Sequence, residues 1–164
     1  MSMHLRDAEA ADASAVSELV QAGFIEYVAP DWDSSAQRAF LEDTGAAQMA
    51  SLISEASVCL VGEQQRRLVG VIFLPRPTLV QLFFVAPGHL RLGIGKALWN
   101  AVRTRLEQQH PEVKTVELNS SPYALDAYRA LGFFPISKPF RRKGAVATRM
   151  ACWLPGKALE KGAA

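Results

Sequence analysis

The strongest constraint on the fold of this chain is a short turn with two glycines that joins an apolar strand to a helix. The segment LFFVAPGHLRLGIGKALWNAV covers residues 82–102 and places Gly93 and Gly95 at the turn. The first amide N–H groups of a helix have no intrahelical partner, and the helix dipole makes this end positive. Because glycine adopts positive φ and lets the backbone approach a ligand closely, the segment predicts an anion-binding turn. Arg91 and Lys96 add positive charge beside it.

The turn alone leaves several interpretations open. It is not a Walker loop, which requires Gly-Lys-Ser/Thr, and it is not a full dinucleotide-binding turn, because Leu98 stands at the third glycine position. No acidic residue lies between the turn and Glu107, so the acidic partner of a dinucleotide ribose is missing as well. An ordinary strand-to-helix turn with packing glycines remains an alternative.

Hydrophobic periodicity predicts a mixed α/β chain. Helices are predicted over about 12–27, 34–45, 46–55, 94–109 and 122–131, and strands over about 3–6, 58–62, 68–74, 79–85, 113–119, 133–136 and 146–154. The strands at 58–62 and 68–74 are expected to form a hairpin, and the run 79–85 is expected to be one strand. We expect one domain over residues 1–155 and a loose tail over residues 156–164.

The composition fits a soluble enzyme-sized domain. The chain has 164 residues, of which 49% are hydrophobic and 21% are charged, as in ordinary globular proteins. No apolar run approaches the roughly 18 residues that a membrane-spanning helix needs, so we expect no membrane association. The N-terminus MSMHLRDAEA lacks a basic region followed by an apolar stretch, which predicts no signal peptide and a cytoplasmic protein.

Charge is distributed unevenly along the chain. Residues 1–63 contain 11 acidic and 2 basic side chains, a net charge of −9, whereas residues 64–164 carry +11. A basic second half suits an anionic ligand. A nucleic-acid surface would give the same imbalance, but no nucleic-acid motif is present, so no nucleic acid is expected as a partner.

The cysteine and histidine residues predict no metal site. Cys59 and Cys152 are far apart in apolar, strand-like runs, which favours buried reduced thiols. The histidines also lack the spacing of metal ligands. We therefore expect no metal cofactor.

The glycine turn resembles the pyrophosphate loop of the GNAT acyltransferase family, usually Gln/Arg-x-x-Gly-x-Gly/Ala. The matching residues here are Leu90, Arg91, Leu92, Gly93, Ile94 and Gly95, preceded by Val85-Ala86-Pro87. Leu90 departs from the pattern, since Gln or Arg is usual there. The resemblance implies that the amides of these residues and of Lys96 bind the phosphates of acetyl-CoA as co-substrate.

A second segment, VELNSSPYALDAYRALGFF at residues 116–134, resembles the family's second conserved region. The matching residues are Asn119, Ser120, Ser121, Ala124, Tyr128, Leu131, Gly132 and Phe133. The resemblance covers residues 58–136 well. It implies a GNAT fold, with a mixed central β-sheet of about six to seven strands, flanking helices and a β-α-β core that binds acyl-CoA, in a monomer or homodimer.

The resemblance also implies a reaction, the direct transfer of acetyl from acetyl-CoA to a primary amine. Tyr128 would act as general acid and protonate the leaving thiolate, since a phenol and a thiol have similar pKa values; a core aromatic is the alternative. Phe84 and Val85 would pair with pantetheine through their backbone. Asn119 and Ser121 would contact pantetheine or the acceptor, or simply cap the following helix.

The general base and the acceptor stay open at this point. His89, Glu26, Glu117 and a water relay are all candidate bases. A cationic amine, on a small molecule or a protein, would be attracted to the acidic N-terminal half, with Glu26, Tyr27, Asp31, Trp32 and His89 as candidate contacts. An ordinary acidic surface is the alternative. A non-catalytic acyl-CoA sensor is the second functional hypothesis. The basic run Arg141–Lys143 would face solvent, the 3′-phosphate of CoA or a partner subunit.

Overall fold

The computed structural model describes residues 2–154. Within them the strands are β1 His4–Asp7, β2 Val58–Gln64, β3 Arg67–Leu74, β4 Leu79–Val80, β5 Leu82–Val85, β6 Thr115–Ser120, β7 Phe133–Pro135, β8 Phe140–Arg142 and β9 Ala145–Trp153. The α-helices are α1 Ala13–Gly23, α2 Ser34–Asp43, α3 Ala46–Glu55, α4 Ile94–Gln109 and α5 Leu125–Ala130. The tail predicted over 156–164 lies outside the described residues, and the single domain over 1–155 stays a prediction.

The strands form two sheets. In the N-terminal sheet the order is β1-β2-β3-β5, and all neighbours are antiparallel. In the C-terminal sheet the order is β4-β6-β9-β7; β4 and β6 are parallel, and β8 pairs with β9. The predicted α/β fold is confirmed, with nine strands in two sheets among residues 2–154 where about six to seven strands in one sheet were expected.

The run 79–85, predicted as one strand, passes from one sheet to the other. Val80 lies opposite Leu118 of β6, whereas Leu82 lies opposite Phe73 of β3. Between them the N–H of Gln81 donates to the carbonyl of Phe73, at 3.0 Å. Because β4 stays with β6 while β5 follows β3, β5 and β6 diverge and leave a cleft between the sheets.

Helices cover both faces of the N-terminal sheet. Alternate side chains of β5 point to opposite faces: Leu82 and Phe84 pack with α1 and α3, whereas Phe83 and Val85 pack with α4. The apolar face of α4 also reaches the C-terminal sheet, where Trp99 packs against Phe133. Helix α4 therefore fixes the glycine turn at its own start relative to both sheets.

A glycine on β3 permits this close packing, and its replacement provides a first prediction. A Cβ added at Gly70 would lie 2.8 Å from both Ile94 Cγ2 and Leu98 Cδ1. Gly70→Val is therefore expected to lower the free energy of unfolding by about 1–3 kcal/mol, measured by urea denaturation. It should also weaken acetyl-CoA binding, since Ile94 begins α4. Gly95→Ala is the matched control for the free energy of unfolding alone, because its Cβ would lie 3.8 Å from the nearest atom. An unchanged midpoint for Gly70→Val would contradict this packing.

Three further features differ from the sequence expectations or extend them. The first helix ends at Gly23 and continues as a π-helical turn over Phe24–Val28. Strand β8 was not predicted; it turns back into β9 through Lys143 and Gly144, both with positive φ. Within the basic run, Arg141 is exposed and pairs with Asp33, with 3.1 Å between Nη1 and Oδ1. No helix within residues 2–154 is long and apolar enough to cross a bilayer.

The two cysteines are buried free thiols, as the sequence predicts. Burial raises the pKa of Cys59 to about 12 and raises that of Cys152 as well. Neither thiol lines the cavity described below, so both belong to the core and take no part in the site.

Candidate active site

A cavity of about 380 Å³ opens in the cleft between β5 and β6. Most of the predicted site residues line it: Tyr27, Trp32, Phe84, Val85, Leu90, Gly95, Asn119, Ser121 and Tyr128. The fork between the sheets therefore brings together residues from the α1–α2 region, the glycine turn and α5, which lie up to a hundred residues apart in the chain.

The other predicted residues lie outside this lining. Arg91, Leu92, Gly93 and Lys96 are exposed on the glycine turn, and Ile94 is buried in the core beneath it. Glu26 is exposed on the π-helical turn. His89 lies in the loop before the glycine turn, where its main-chain N–H donates to the carbonyl of Ala86 at 2.9 Å.

The glycine turn has the geometry of an anion site. Gly93 has φ +82° and caps α4 without a side-chain hydrogen bond, and Arg91 also has positive φ. The first bond of the helix runs from the N–H of Ala97 to the carbonyl of Gly93. No acceptor among residues 2–154 receives the amides between 90 and 96. A Cβ added at Gly93 would meet nothing within 4 Å, so the turn is uncrowded there, and free amides at a helix start suit a phosphate.

The edge of β5 that faces the cleft is unpaired, because β5 bonds only to β3 among the described strands. The N–H of Ala86 donates to the carbonyl of Val69 directly opposite, at 2.8 Å. Residues bonded to the neighbouring strand alternate with residues that are not. Phe84 therefore directs its main-chain groups to β3, whereas Phe83 and Val85 direct theirs into the cleft. An extended ligand would pair with these two residues.

Tyr128 lies on α5 across the cleft from β5. Its half-buried ring packs against Phe83 and Phe133, with centroid distances of 5.9 and 5.8 Å. Burial raises the pKa of Tyr128 well above its usual value of about 10. Its hydroxyl has no hydrogen-bond partner within residues 2–154. The group therefore keeps its proton at neutral pH and is free to donate it to a ligand.

Asn119 and Ser121 have different surroundings. The Oγ of Ser121 accepts a hydrogen bond from the N–H of Ala124 at 3.3 Å, so Ser121 stabilises the turn before α5 as well as lining the cavity. Asn119 is exposed and lines both this cavity and a smaller one of about 130 Å³, which also contains Glu117 and Arg149. This arrangement supports the capping interpretation for Ser121 and leaves Asn119 open to a ligand.

Among residues 2–154, no charged side chain lines this cavity. Of the candidate bases, Glu26 is exposed elsewhere, Glu117 lies in the smaller cavity 3.9 Å from Arg149, and His89 is absent from the lining. The titratable side chains of the cavity are the phenols of Tyr27, Tyr123 and Tyr128. No group of His, Cys, Asp and Glu that would hold a metal ion occurs within residues 2–154.

Sequence reasoning missed an aromatic part of the lining. Phe24, Phe40, Phe83 and Tyr123 all line the cavity, yet each was expected, if at all, as part of a helix face or a strand. Tyr123 carried a usable signal, since an aromatic residue directly after Pro122 in a polar loop is seldom a core residue. The others gave no signal that distinguishes a cavity wall from a core.

The comparison with known proteins identifies the family of the chain. Residues 20–154 match the family model described as an acetyltransferase (GNAT) domain. The chain belongs to the GNAT acetyltransferase family. The resemblance carried by the two sequence motifs is thereby confirmed.

The proteins similar to this GNAT chain include one curated enzyme whose name states its substrate and several acetyltransferases of known structure. Peptidyl-lysine N-acetyltransferase YiaC of Escherichia coli K12 is 28% identical over 93 residues, which are 57% of this chain. This match spans 61% of the relative's length. A GCN5-related N-acetyltransferase from Rhodopseudomonas palustris superimposes with a TM-score of 0.80 at 19% identity, covering 94% of this chain and 97% of that one.

The PaiA N-acetyltransferase of Thermoplasma acidophilum, whose structure is in complex with coenzyme A, has a TM-score of 0.77 at 14% identity. The match covers 93% of this chain and 99% of that one. At these identities the two structural matches establish the GNAT fold and say nothing about the acceptor.

Proposed function

We propose that this GNAT protein transfers an acetyl group from acetyl-CoA to a primary amine by direct attack. The observation that carries the proposal is that the glycine turn and Tyr128 meet in one cavity, since Gly95 and Tyr128 both line it. A phosphate-binding turn and a proton donor on opposite sides of an open strand edge suit a ligand that is anionic at one end and reactive at the other.

The chain offers a matching group to each part of acetyl-CoA. The unpaired amides between 90 and 96 would bind the pyrophosphate, with added attraction from Arg91 and Lys96. The open edge of β5 would pair with pantetheine through Phe83 and Val85. Leu90 replaces the usual polar residue, so the phosphates depend on main-chain amides there. The coenzyme A complex of the PaiA relative, which has the same fold, supports coenzyme A as the kind of ligand.

Acetyl-CoA supplies an activated thioester, and the chain's own groups promote its transfer. A main-chain N–H of Phe83 or Val85 would donate to the thioester carbonyl oxygen and stabilise the negative charge that develops there. As the amine nitrogen bonds to the carbonyl carbon and the C–S bond breaks, Tyr128 would give its proton to sulfur. The proton that leaves nitrogen restores the phenol through solvent, so the products are an amide and a free thiol.

The acceptor is an amine on a small molecule or a protein. The named activity of the YiaC relative supports lysine side chains as one such class. Within the described part of the chain, no carboxylate or imidazole lines the cavity to deprotonate the amine, so the acceptor would lose its proton to water before it attacks.

Thermal unfolding with and without acetyl-CoA, followed by a thiol-release assay against a panel of amines, tests the proposal. A ligand at one hundred times its Kd stabilises the folded state by about 2.7 kcal/mol, and a clear rise in melting temperature is expected. Stabilisation without thiol release from any amine would favour the acyl-CoA sensor. No stabilisation would show that Leu90 abolishes cofactor binding and that the proposal is wrong.

A further inference from the structure

We propose that the acceptor amine is carried on an apolar, aromatic group and enters the cavity uncharged. This inference rests on the proposed function and names the substrate class of the same site. It departs both from the cationic acceptor that the acidic N-terminal half of the sequence suggests and from the lysine side chain that the YiaC relative suggests.

The ring of Phe40 and the glycine turn lie on opposite faces of the N-terminal sheet. Phe40, on α2, packs 6.4 Å from Phe84, whose side chain lies on the α1 face of β5. The glycine turn begins α4, which packs on the other face with Phe83 and Val85. A ligand held by the turn therefore leaves the α1 side of the cavity to the acceptor.

Three of the rings on the α1 side form one packed cluster. Phe24 stacks on Phe40 with a centroid distance of 3.9 Å, and Trp32 meets them edge-on at 5.1 and 6.0 Å. Trp32 and Phe40 are half-buried and face the cavity, whereas Phe24 is fully buried and supports them from behind. Because the rings support one another, Trp32 and Phe40 form a fixed apolar surface that favours a hydrocarbon or aromatic group over a hydrated one.

Two tyrosines form a second aromatic surface across the cleft. Tyr27, from the π-helical turn, stacks on Tyr123, from the loop before α5, at 4.7 Å with 21° between the ring planes. Tyr123 is 58% exposed, so part of its ring is accessible from solvent. A planar group entering the cavity meets a ring face there and a phenol hydroxyl as a hydrogen-bond partner.

The carboxylates of this region lie outside the lining. Glu26 is exposed at its edge and is engaged with the phenol of Tyr27, whose pKa is raised by burial and by that carboxylate. Asp31 is exposed as well, and Asp33 pairs with Arg141. An ammonium ion that entered the cavity would lose its hydration and gain, in place of a counter-charge, only modest cation–π contact with the rings. A polyamine or an aminoglycoside, which carries several ammonium groups, is therefore disfavoured.

An amine that binds without a charge also needs no general base on the protein. Desolvation lowers the pKa of an amine because it disfavours the charged form. An aromatic amine or an arylalkyl amine that binds as the free base attacks the thioester carbon directly; its nitrogen then releases one proton, Tyr128 gives one to sulfur, and solvent returns one to Tyr128. No carboxylate or histidine is needed in that sequence.

The test compares 2-phenylethylamine with 1,4-diaminobutane and ethylamine in the thiol-release assay, for the unmodified protein and for Tyr27→Leu. We expect kcat/KM for 2-phenylethylamine to exceed that for the diamine by about tenfold or more. Tyr27→Leu should lower the value for 2-phenylethylamine about tenfold and change the value for ethylamine much less. Preference for the diamine, or an equal loss for all three amines, would overturn the inference.

The dependence of kcat/KM on pH is a second test, because a purely structural role of these rings would not change it. The titratable groups facing the acceptor are the phenols of Tyr27, Tyr123 and Tyr128, with Glu26 and Asp31 exposed outside. Across ring-substituted benzylamines, the midpoint of kcat/KM against pH should therefore follow the pKa of each ammonium ion. A fixed midpoint would reveal a base on the protein and overturn the inference. Thiol release with polyamines alone would overturn this inference and leave the proposed function standing, whereas no thiol release with any amine would overturn both.

Discussion

Replacing Tyr128 by phenylalanine is expected to lower kcat by about 10²–10⁴-fold, the usual contribution of a general acid. The phenol is the titratable group of α5 that lines the cavity, and burial raises its pKa and keeps it protonated at neutral pH. The leaving thiolate would form in the same desolvated site, which raises the pKa of its conjugate thiol too, so the two groups stay matched for proton transfer. The substitution removes only the hydroxyl and keeps the ring, so its packing against Phe83 and Phe133 is preserved. Steady-state thiol release measures the effect.

The stabilisation of the protein by acetyl-CoA is the control for this variant. The glycine turn lies on the other side of the cleft, so the rise in melting temperature with acetyl-CoA should be the same in Tyr128→Phe as in the unmodified protein. A fall in kcat of less than about threefold, with that stabilisation intact, would show that the leaving sulfur is protonated by water.

Replacing Trp99 by alanine is expected to cost about 3–5 kcal/mol of the free energy of unfolding. The side chain is 1% exposed and packs 4.8 Å from the ring of Phe133, in a core that contains residues of both sheets. Removing it leaves a cavity where α4 joins the two sheets. Since a domain of this size is stable by only about 5–15 kcal/mol, urea denaturation should show a large shift of the midpoint.

Asn100 is the matched control on the same helix. It follows Trp99 directly and is exposed, so Asn100→Ala should change the free energy of unfolding by no more than about 0.5 kcal/mol. A loss below about 1.5 kcal/mol for Trp99→Ala would mean that the core closes around the missing ring and that α4 is held mainly by other contacts.

Local sequence patterns predicted the elements whose ends carry a strong signal. The helices at 46–55 and 94–109 match the structure at both ends, because a glycine precedes each of them and the apolar periodicity is continuous. The glycine turn and the positive φ of Gly93 were also predictable, since only the physics of a helix start and of glycine is needed. These features depend on neighbours within a few residues.

Features that depend on distant partners were not predictable. Nothing in the apolar run 79–85 shows that it changes sheets at Gln81, because both halves have the residues of a buried strand. Strand β8 is too polar to stand out, since Arg141 and Arg142 lie on an exposed ribbon. Which strand a segment pairs with is decided by long-range contacts that periodicity does not record.

In the candidate site, too, some features could be predicted from local sequence and others could not. Tyr128 and the glycine turn were recognised through motifs, and the structure brings them into one cavity. The acidic N-terminal half predicts a cationic acceptor, and that stays a prediction; Glu26 and Asp31 are exposed, whereas Tyr27 and Trp32 line the cavity. Net charge over sixty residues does not say which side chains face inward, so the aromatic character of the cavity lining emerged only from the fold.

The unpaired edge of β5 has a consequence for the protein's abundance. An open strand edge is a template on which another chain can aggregate, and folded proteins usually protect such edges. Here the proposed co-substrate would itself occupy the edge, so the ligand-free molecules are the ones exposed to misassembly and to proteases. By mass action, a cell short of acetyl-CoA would hold more of them in that form, and their turnover would rise. The steady-state amount of this protein is therefore expected to follow the supply of acetyl-CoA.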